Sequence, residues 1–343
     1  MATFPPSWTL TPSARLEIFT TQILPAELRP YLPPASPSSP PSTSTKDTTS
    51  PAPRRPLAIL IVGQTGAGKT RLAPLLLRAI TSSHPSRLPP AHFIADTYKT
   101  YHPHYSACLA QYPPFQASLL AGLDARLWLQ MACEAASAHR IDVLVESACR
   151  HPDDFVKLAE IFAREGYRVK VAILAVPEGL SRLGCLVRYW KRAPEAGSRG
   201  LPVRLTPRKV HDESYEGLRE AARWVDGSEA VDGCVVVRRG EGVGYWNERV
   251  TNEKGKGERK WLREPGALKA LKTECARKLS EEERRVMEED LEVLKKLGDP
   301  KVDQEIEAIQ ALVSSIGNRF TGTFSELEPL DVDEFVRGRS TSG

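Results

Sequence analysis

Residues 57–70 have the sequence Leu-Ala-Ile-Leu-Ile-Val-Gly-Gln-Thr-Gly-Ala-Gly-Lys-Thr. The apolar run at 57–62 is long enough for a buried strand and too short for a helix, and Gly63 ends it. The next eight residues match G-x-x-x-x-G-K-[ST], in which glycines let backbone N–H groups turn inward around a phosphate without Cβ clashes. We therefore expect a phosphate-binding loop made of Gly63, Gln64, Thr65, Gly66, Ala67, Gly68, Lys69 and Thr70.

Two side chains of this loop have predicted roles. Lys69 is expected to reach the β- and γ-phosphates, and the Thr70 hydroxyl is expected to bind Mg²⁺. The following residues, 68–82, predict a helix whose positive N-terminal end faces the same anion. The loop alone does not distinguish a nucleotide that donates phosphate from one that acts as a switch or drives a motor.

Composition narrows the class of protein. The chain has 343 residues, 41% hydrophobic and 26% charged, which is enough for one good-sized core. Its net charge of +4 comes from interleaved acidic and basic residues, so we expect no nucleic-acid partner. No apolar run approaches the ~20 residues that span a bilayer. We expect no membrane association and a cytoplasmic location, since the N-terminus lacks a charged region followed by an apolar one.

The six cysteines show neither C-x-x-C pairs nor a metal-ligand spacing with histidine. We expect reduced, mostly buried thiols at positions 108, 133, 149, 185, 234 and 275.

The N-terminal part divides into two segments. Within residues 1–32, the apolar spacing over 12–28 predicts one amphipathic helix that packs on the core. Residues 33–55 are rich in Pro, Ser and Thr and nearly devoid of large apolar groups, which predicts a disordered linker. A proline-motif ligand or a phosphorylation segment is the functional alternative for this linker.

Residues 56–250 alternate apolar runs with helical patterns. The order of strand then helix predicts an α/β fold with a mostly parallel sheet covered by helices on both faces, as in P-loop NTPases. The predicted strands are 57–62, 92–95, 141–146 and 169–176, with a further strand at 234–239 and a short return at 243–246. The predicted helices are 68–82, 116–138, 152–165, 178–192 and 207–224.

Ligands of such sheets bind at the carboxyl ends of the strands. Asp96 follows the second predicted strand and Glu146 ends the third. A carboxylate there can accept the proton of an attacking hydroxyl or hold a metal-bound water. The alternatives are a helix N-cap for Asp96 and an arginine partner for Glu146.

Residues 193–206 are punctuated by Gly and Pro between two predicted helices, as a mobile lid would be. Arg188 and Arg204 flank this segment, and arginines there can neutralise charge on a transferring phosphoryl group. Exposure to solvent is the alternative for both.

The last part of the chain, residues 251–343, predicts a charged helical extension. Ser280 is a plausible N-cap, and Asp299-Pro300 precedes a further helix. These helices are expected either to pack on the core or to present a surface to a protein partner.

The quoted motifs resemble the zeta-toxin family of P-loop kinases over about residues 57–246. Residues 63–70 resemble the family's phosphate loop, with Thr65 in place of the usual proline. Asp96 is similar to the family's catalytic aspartate, followed at the family's interval by His102-Pro103-His104-Tyr105. Leu180–Tyr189 is similar to the helix that carries the first phosphate-clamping arginine, Arg188 here. Arg204, in a stretch ending at His211-Asp212, matches the second arginine.

The resemblance also implies an acceptor site. Bacterial members of the family phosphorylate the 3′-hydroxyl of N-acetylglucosamine in UDP-N-acetylglucosamine, so the resemblance implies ATP, Mg²⁺ and a hydroxylated small-molecule acceptor. The residues that it implies for substrate binding are Lys99, His102, Tyr105, Glu146, Ser147 and Arg150. Lys99 stands where the family has arginine, Ser147 where threonine is frequent, and the spacing from Arg188 to Arg204 is a few residues longer.

The implied catalytic residues are Asp96, Lys69, Arg188 and Arg204, and the implied reaction is γ-phosphoryl transfer to a nucleotide sugar. A kinase for another hydroxylated metabolite or nucleoside is one alternative. The alternative from another class is a regulatory ATP-binding module whose C-terminal helices contact a partner.

Overall fold

A computed structural model describes residues 8–32, 55–83, 88–191, 205–239, 242–250, 259–319 and 327–338. Seven strands form one sheet in the order β2-β3-β1-β4-β5-β6-β7. The pairs from β2 to β5 are parallel, and β6 and β7 add antiparallel strands at one edge. The strands are β1 (Leu57–Val62), β2 (Ala91–Ile94), β3 (Val143–Ser147), β4 (Arg168–Ala175), β5 (Gly233–Arg238), β6 (Val243–Val250) and β7 (Lys260–Trp261).

Helices cover both faces of this sheet. The first seven are α1 (Pro12–Ile18), α2 (Lys69–Ser83), α3 (Tyr105–Gln111), α4 (Pro114–Leu120), α5 (Gly122–Ala138), α6 (Pro152–Arg164) and α7 (Glu178–Trp190). The others are α8 (Arg208–Gly227), α9 (Ala267–Ala276), α10 (Glu281–Lys295), α11 (Pro300–Arg319) and α12 (Val332–Arg337). No helix in these described ranges is long and apolar enough to cross a membrane.

The strand β1 lies at the centre and is buried along its whole length. Its alternate side chains point into two apolar clusters, since successive strand residues face opposite sides of a sheet. Leu60 packs in the cluster that contains α5, α6 and α8, whereas Ile59 packs in the cluster that contains α2 and α7. A strand buried on both faces explains the uninterrupted apolar run at 57–62.

The C-terminal helices α10 and α11 belong to the second of these clusters, whereas α9 packs in the first. Met287, Leu291 and Leu294 of α10 are buried there, together with Ile306 and Ile309 of α11. The N-cap predicted at Ser280 is confirmed as a capping box, in which Ser280 and Glu283 each bind the other's backbone N–H. The apolar face of each of these helices therefore packs on the core.

The α/β fold with a mostly parallel sheet is confirmed, and two predicted helices differ in detail. The helix predicted over 12–28 is an α-helix only to Ile18 and continues as a wider π-type helix over Phe19–Leu28. Pro25 lies in that segment, and a proline removes one N–H from the regular hydrogen-bond pattern. The helix predicted over 116–138 is divided at Ala121 into α4 and α5.

All six cysteines are buried and unpaired, as predicted. Most of the predicted linker, 33–54, and of the predicted lid, 193–204, lie outside the described residues. The division of the chain at residues 32, 55 and 250 into separate domains stays a prediction.

Candidate nucleotide and acceptor site

The phosphate loop lies between β1 and α2, at the centre of the carboxyl edge of the sheet. The N–H of Gly63 donates to the carbonyl of Ser147 at 3.3 Å, which joins the loop to the end of β3. Gly66 and Gly68 have φ angles of +82° and +99°, a region that favours glycine. The loop therefore reverses direction at these two glycines and places Lys69 at the first turn of α2.

Lys69 folds back on its own loop. Its Nζ donates to the carbonyl of Gly63 at 2.6 Å and to the carbonyl of Gln64 at 3.3 Å. Burial lowers the pKa of Lys69, and the nearby Glu146 carboxylate opposes this change. An ammonium group held only by carbonyl oxygens can move to a phosphate without breaking an ion pair.

A cavity of about 1060 Å³ opens in front of the loop. It is bounded by the ends of β2 and β3, by α5, α6 and α7, and by α10. The predicted site residues that line it are Thr65, Gly66, Gly68, Lys69, Thr70, Asp96, Lys99, Glu146, Ser147, Arg150 and Arg188. Gly63, Gln64 and Ala67 of the loop are buried and do not line the cavity. The Gln64 side-chain amide donates to the carbonyl of Val176 at 2.8 Å.

Asp96 and Lys99 form a pair on one side of the cavity. Asp96 is in the 3₁₀ turn Ala95–Tyr101 that follows β2, and its side chain is 46% exposed. The buried Lys99 ammonium donates to Asp96 Oδ1 and to Ser118 Oγ, both at 2.5 Å. Ser118 of α4 thus fixes the lysine, and the lysine fixes the carboxylate beside the cavity.

Glu146 occupies the end of β3 next to this pair. Only 7% of the residue is exposed, and its Oε1 lies 2.9 Å from His92 Nε2 on β2. The sequence left an arginine open as the partner of Glu146, and in the structure this partner is a histidine on the neighbouring strand. His92 holds one carboxylate oxygen, and Glu146 lines the cavity.

Ser147 and Arg150 belong to the turn after β3. Ser147 Oγ accepts the N–H of Cys149 at 3.1 Å, where the backbone has a positive φ of 51°. Arg150 Nε donates to Glu213 of α8 at 2.7 Å. Burial raises the pKa of the Cys149 thiol to about 12, so this cysteine is not a nucleophile at neutral pH.

His102 and Tyr105 are not brought into the cavity. His102 is 2% exposed, and its Nε2 lies 3.1 Å from the carbonyl of Trp8 and 3.3 Å from Asp124 Oδ2. Asp124 also accepts from Arg15 at 2.8 Å. The histidine therefore joins the segment before α1, at Trp8, to Asp124 of α5, a contact that its sequence motif does not reveal.

Arg188 enters the cavity from α7. Its Nη2 donates to Thr206 Oγ1 at 3.3 Å, and its buried Nε has no acceptor among the described residues. A buried guanidinium N–H without an acceptor is costly unless a ligand supplies one. The second predicted arginine, Arg204, lies outside the described residues.

The His211-Asp212 pair supports the phosphate loop from behind. His211 Nε2 lies 2.8 Å from Ser181 Oγ, and burial lowers the pKa of His211 to about 4. On the same helix, Ser214 Oγ accepts the N–H of Thr65 at 3.3 Å. α8 therefore contacts the loop through Ser214 and is joined to α7 through His211 and Ser181.

Three metal-ligating side chains cluster beside this support: Glu178, His211 and Asp212. The Arg182 guanidinium lies 3.0 Å from Glu178 and 2.6 Å from Asp212. Because an arginine already neutralises both carboxylates, this cluster does not suit a cation.

Sequence reasoning missed a cation that contacts the phosphate loop, Arg239, and one helix at the cavity. Arg239 follows β5, and its Nη2 donates to the carbonyl of Gly66 at 2.6 Å. Its signal in the sequence is its position at the carboxyl end of the strand predicted at 234–239, the same position relative to a strand that indicated Asp96 and Glu146. The helix α10 also lines the cavity, and its distance in sequence gave no signal of this.

Comparisons with known proteins identify the family of this chain. The zeta toxin family model matches residues 42–251, more than half of the chain. The chain is 26% identical over 159 residues to toxin PezT of Streptococcus pneumoniae serotype 4, covering 46% of this chain and 59% of PezT. It is 24% identical over 163 residues to toxin zeta of Enterococcus hirae, covering 48% of this chain and 54% of that toxin. It thus spans little more than half the length of these relatives.

A solved structure from the PezAT toxin–antitoxin system of Streptococcus pneumoniae shares the fold. Its TM-score is 0.55 at 19% sequence identity, over 88% of this chain and 99% of that chain. The family match, the phosphate loop and the fold are consistent with one another. This chain belongs to the zeta toxin family.

Proposed function

We propose that this protein is an ATP-dependent kinase that transfers the γ-phosphoryl group to a hydroxyl of a small molecule. The observation that carries this proposal is that the phosphate loop, Arg188 and the Asp96 carboxylate line one cavity. The family, in which zeta toxins are kinases, supports the same chemistry. We assign the activity to residues 56–250, with residues 251–343 as a helical extension.

The phosphates would bind to the backbone N–H groups of residues 63–70. Lys69 would exchange its two carbonyl contacts for the β- and γ-phosphates. Arg188, whose Nε lacks an acceptor in the described part of the chain, would neutralise charge on the transferring group. Arg204 is proposed as its partner on the family resemblance alone.

Asp96 is the proposed base. Its side chain is about half exposed at the cavity, and a carboxylate there can accept the proton of the attacking hydroxyl. Lys99 donates to its Oδ1 at 2.5 Å and so orients the carboxylate beside the cavity. The lysine also supplies positive charge beside the incoming phosphoryl group.

The residues at the loop fit Mg²⁺. Thr70 is exposed at the start of α2 and lines the cavity, and magnesium prefers hard oxygen ligands such as hydroxyl and phosphate. When bound with the nucleotide, Mg²⁺ would neutralise phosphate oxygens in the reaction. Thr70 is the residue proposed to hold it.

For the acceptor, we propose a nucleotide sugar such as UDP-N-acetylglucosamine. Glu146, with one oxygen held by His92, can accept a hydrogen bond from a sugar hydroxyl or amide. Lys99, Ser147 and Arg150 would shape the same pocket. His102 and Tyr105 would contribute through the position of the turn that carries Asp96, since neither lines the cavity.

The test is acceptor-dependent phosphoryl transfer. Purified protein is incubated with Mg-ATP and a panel of hydroxylated acceptors that includes UDP-N-acetylglucosamine, and products are identified by mass and phosphorus NMR. Lys69→Ala should lose both transfer and most ATP affinity. Asp96→Asn should keep its ATP affinity but lose turnover by at least about 100-fold, the usual contribution of a general base.

Asp303→Asn is the matched control, since Asp303 is exposed on α11 and does not line the cavity. Its turnover should equal that of the parent. Equal turnover for Asp96→Asn would exclude Asp96 as the base. ATP binding without transfer to any acceptor would instead support a regulatory nucleotide-binding module.

A further inference from the structure

The helix α10 lies beyond the family match at 42–251 and nevertheless forms one wall of the cavity. Its lining residues are Glu282, Glu283, Val286, Met287 and Asp290. This spacing places them on one face of an α-helix. Val286 is 41% exposed on that face, whereas Met287 is 9% exposed.

The wall is fixed in position by buried charge pairs. Glu274 of α9 pairs with Arg238 of β5 at 2.7 Å and with Arg277 at 3.1 Å. Arg277 then pairs with Glu283 at 2.5 Å. Because Arg238 precedes Arg239, this chain of pairs joins α10 to the strand end that contacts the phosphate loop.

A second pair fixes the other end of the wall. Lys191, at the end of the helix that carries Arg188, lies 2.8 Å from Asp290. Met287 is buried against the core between these two pairs. The cavity-facing side of α10 is therefore formed before any ligand binds.

The order of the sheet separates the cavity into two sides. β1 and its phosphate loop are central, and β2 and β3, which carry Asp96 and Glu146, lie on one side of it. β4 and β5 lie on the other, and Arg239 follows β5. With the acceptor proposed on the β2 and β3 side, the rest of the nucleotide extends toward Arg239 and α10.

Charge indicates which part of a nucleotide would lie against α10. The cations Lys69, Arg188 and Arg239 surround the loop, whereas α10 contributes only carboxylates and apolar side chains to the cavity. Carboxylates repel phosphates, but they accept hydrogen bonds from ribose hydroxyls and exocyclic amino groups. An exposed valine on the same face offers an apolar contact to a planar ring.

We infer that α10 binds the nucleoside part of the triphosphate, with Val286 against the base and the carboxylate of Asp290, whose Oδ1 pairs with Lys191, beside it. Both oxygens of Glu282 already accept from Arg285. This inference rests on the proposed use of ATP. It gives the C-terminal extension a role in nucleotide affinity and base selection.

The test uses two valines of the same helix. Val293 is 39% exposed, nearly the same as Val286, and it does not line the cavity. Val286→Trp and Val293→Trp are prepared in the full chain, and the dissociation constants of Mg-ATP and of inorganic tripolyphosphate are measured by calorimetry. Tripolyphosphate lacks the base and ribose, so it reports the phosphate site alone.

Val286→Trp should weaken Mg-ATP binding by at least about tenfold and leave tripolyphosphate binding within about twofold, because only the nucleoside contact is obstructed. Val293→Trp should change neither constant. Unchanged Mg-ATP binding by Val286→Trp would overturn the inference, since a tryptophan in contact with the base would alter that dissociation constant. The Val286→Lys and Val293→Lys pair repeats the comparison with a side chain suited to an exposed helix position.

Failure of the proposed function gives a different result. In that case the parent protein binds tripolyphosphate without binding Mg-ATP more tightly, or it binds Mg-ATP and phosphorylates no acceptor. The first result would exclude both the nucleoside-binding site and the proposed kinase activity. The second leaves the role of α10 in binding to be decided by the valine variants.

Discussion

Replacement of Gly66 by alanine tests how the phosphate loop is packed. An added Cβ at Gly66 would lie 2.0 Å from the carbonyl oxygen of Ser181 in α7, and the φ of +82° is itself unfavourable for alanine. Gly68 is the matched control, because its φ is +99° but a Cβ there meets no atom within 4 Å. The two substitutions share the backbone strain, and only one adds a steric clash.

The expected magnitudes follow from these two terms. Left-handed backbone costs a non-glycine residue about 1–2 kcal/mol, so Gly68→Ala should lower the free energy of unfolding by that amount. The Ser181 carbonyl belongs to a buried helix and has to move by about 1 Å to clear the new methyl group, and such overpacking adds about 1–3 kcal/mol. Gly66→Ala should therefore cost about 2–5 kcal/mol in total.

The assay is urea denaturation of the nucleotide-free proteins, followed by both circular dichroism and tryptophan fluorescence. Without nucleotide, the difference between the variants reports packing and not phosphate binding. Equal midpoints for Gly66→Ala and Gly68→Ala would refute the reasoning, since the contact with α7 would then carry no energy.

Three further predictions concern His211 and the consecutive arginines Arg238 and Arg239 at the end of β5. Because the folded pKa of His211 is about 4 and the unfolded value about 6.5, the unfolded chain binds the extra proton first as the pH falls. The free energy of unfolding should therefore fall by up to about 3 kcal/mol from this residue between pH 6.5 and 4, and denaturation of His211→Gln across that range should show a shallower slope. Parallel slopes for the two proteins would contradict this. Arg239→Met should weaken tripolyphosphate binding by about tenfold at nearly unchanged stability, because its guanidinium meets the loop at the cavity. Arg238→Met should instead lower the free energy of unfolding by about 2 kcal/mol or more, because Glu274 loses one of its buried partners. Calorimetry measures the tripolyphosphate affinity of both variants, and urea denaturation measures their stability. Identical results for the two variants would refute the distinction.

Local sequence patterns were sufficient to predict the structure where one physical requirement dictates the residue type. The uninterrupted apolar run at 57–62 predicted a buried strand, and the glycines after it predicted a phosphate-binding loop, in which Gly66 and Gly68 have positive φ angles. Ser280 predicted the N-cap of α10. The strand ends directed attention to Asp96 and Glu146, because parallel strands finish at one edge of the sheet.

Other features depended on distant parts of the chain. The wider winding after Ile18 and the break at Ala121 shifted helix geometry without changing the fold. His102 has the same sequence motif whether it meets a substrate or the carbonyl of Trp8, and only the packing of the N-terminal segment decides between them. The partners of Lys99 and Glu146 are likewise set by which helix or strand lies alongside.

By itself, the sequence determined the α/β architecture, the position of the phosphate loop and the strand ends that surround it. These depend on short-range patterns of apolar residues and glycines, which act through hydrogen bonding and burial within a few residues. Only the tertiary structure placed Arg239 against the loop, removed His102 from the cavity and brought α10 to its wall. Those outcomes depend on contacts between residues far apart in the chain, for which the local sequence carries no periodic signal.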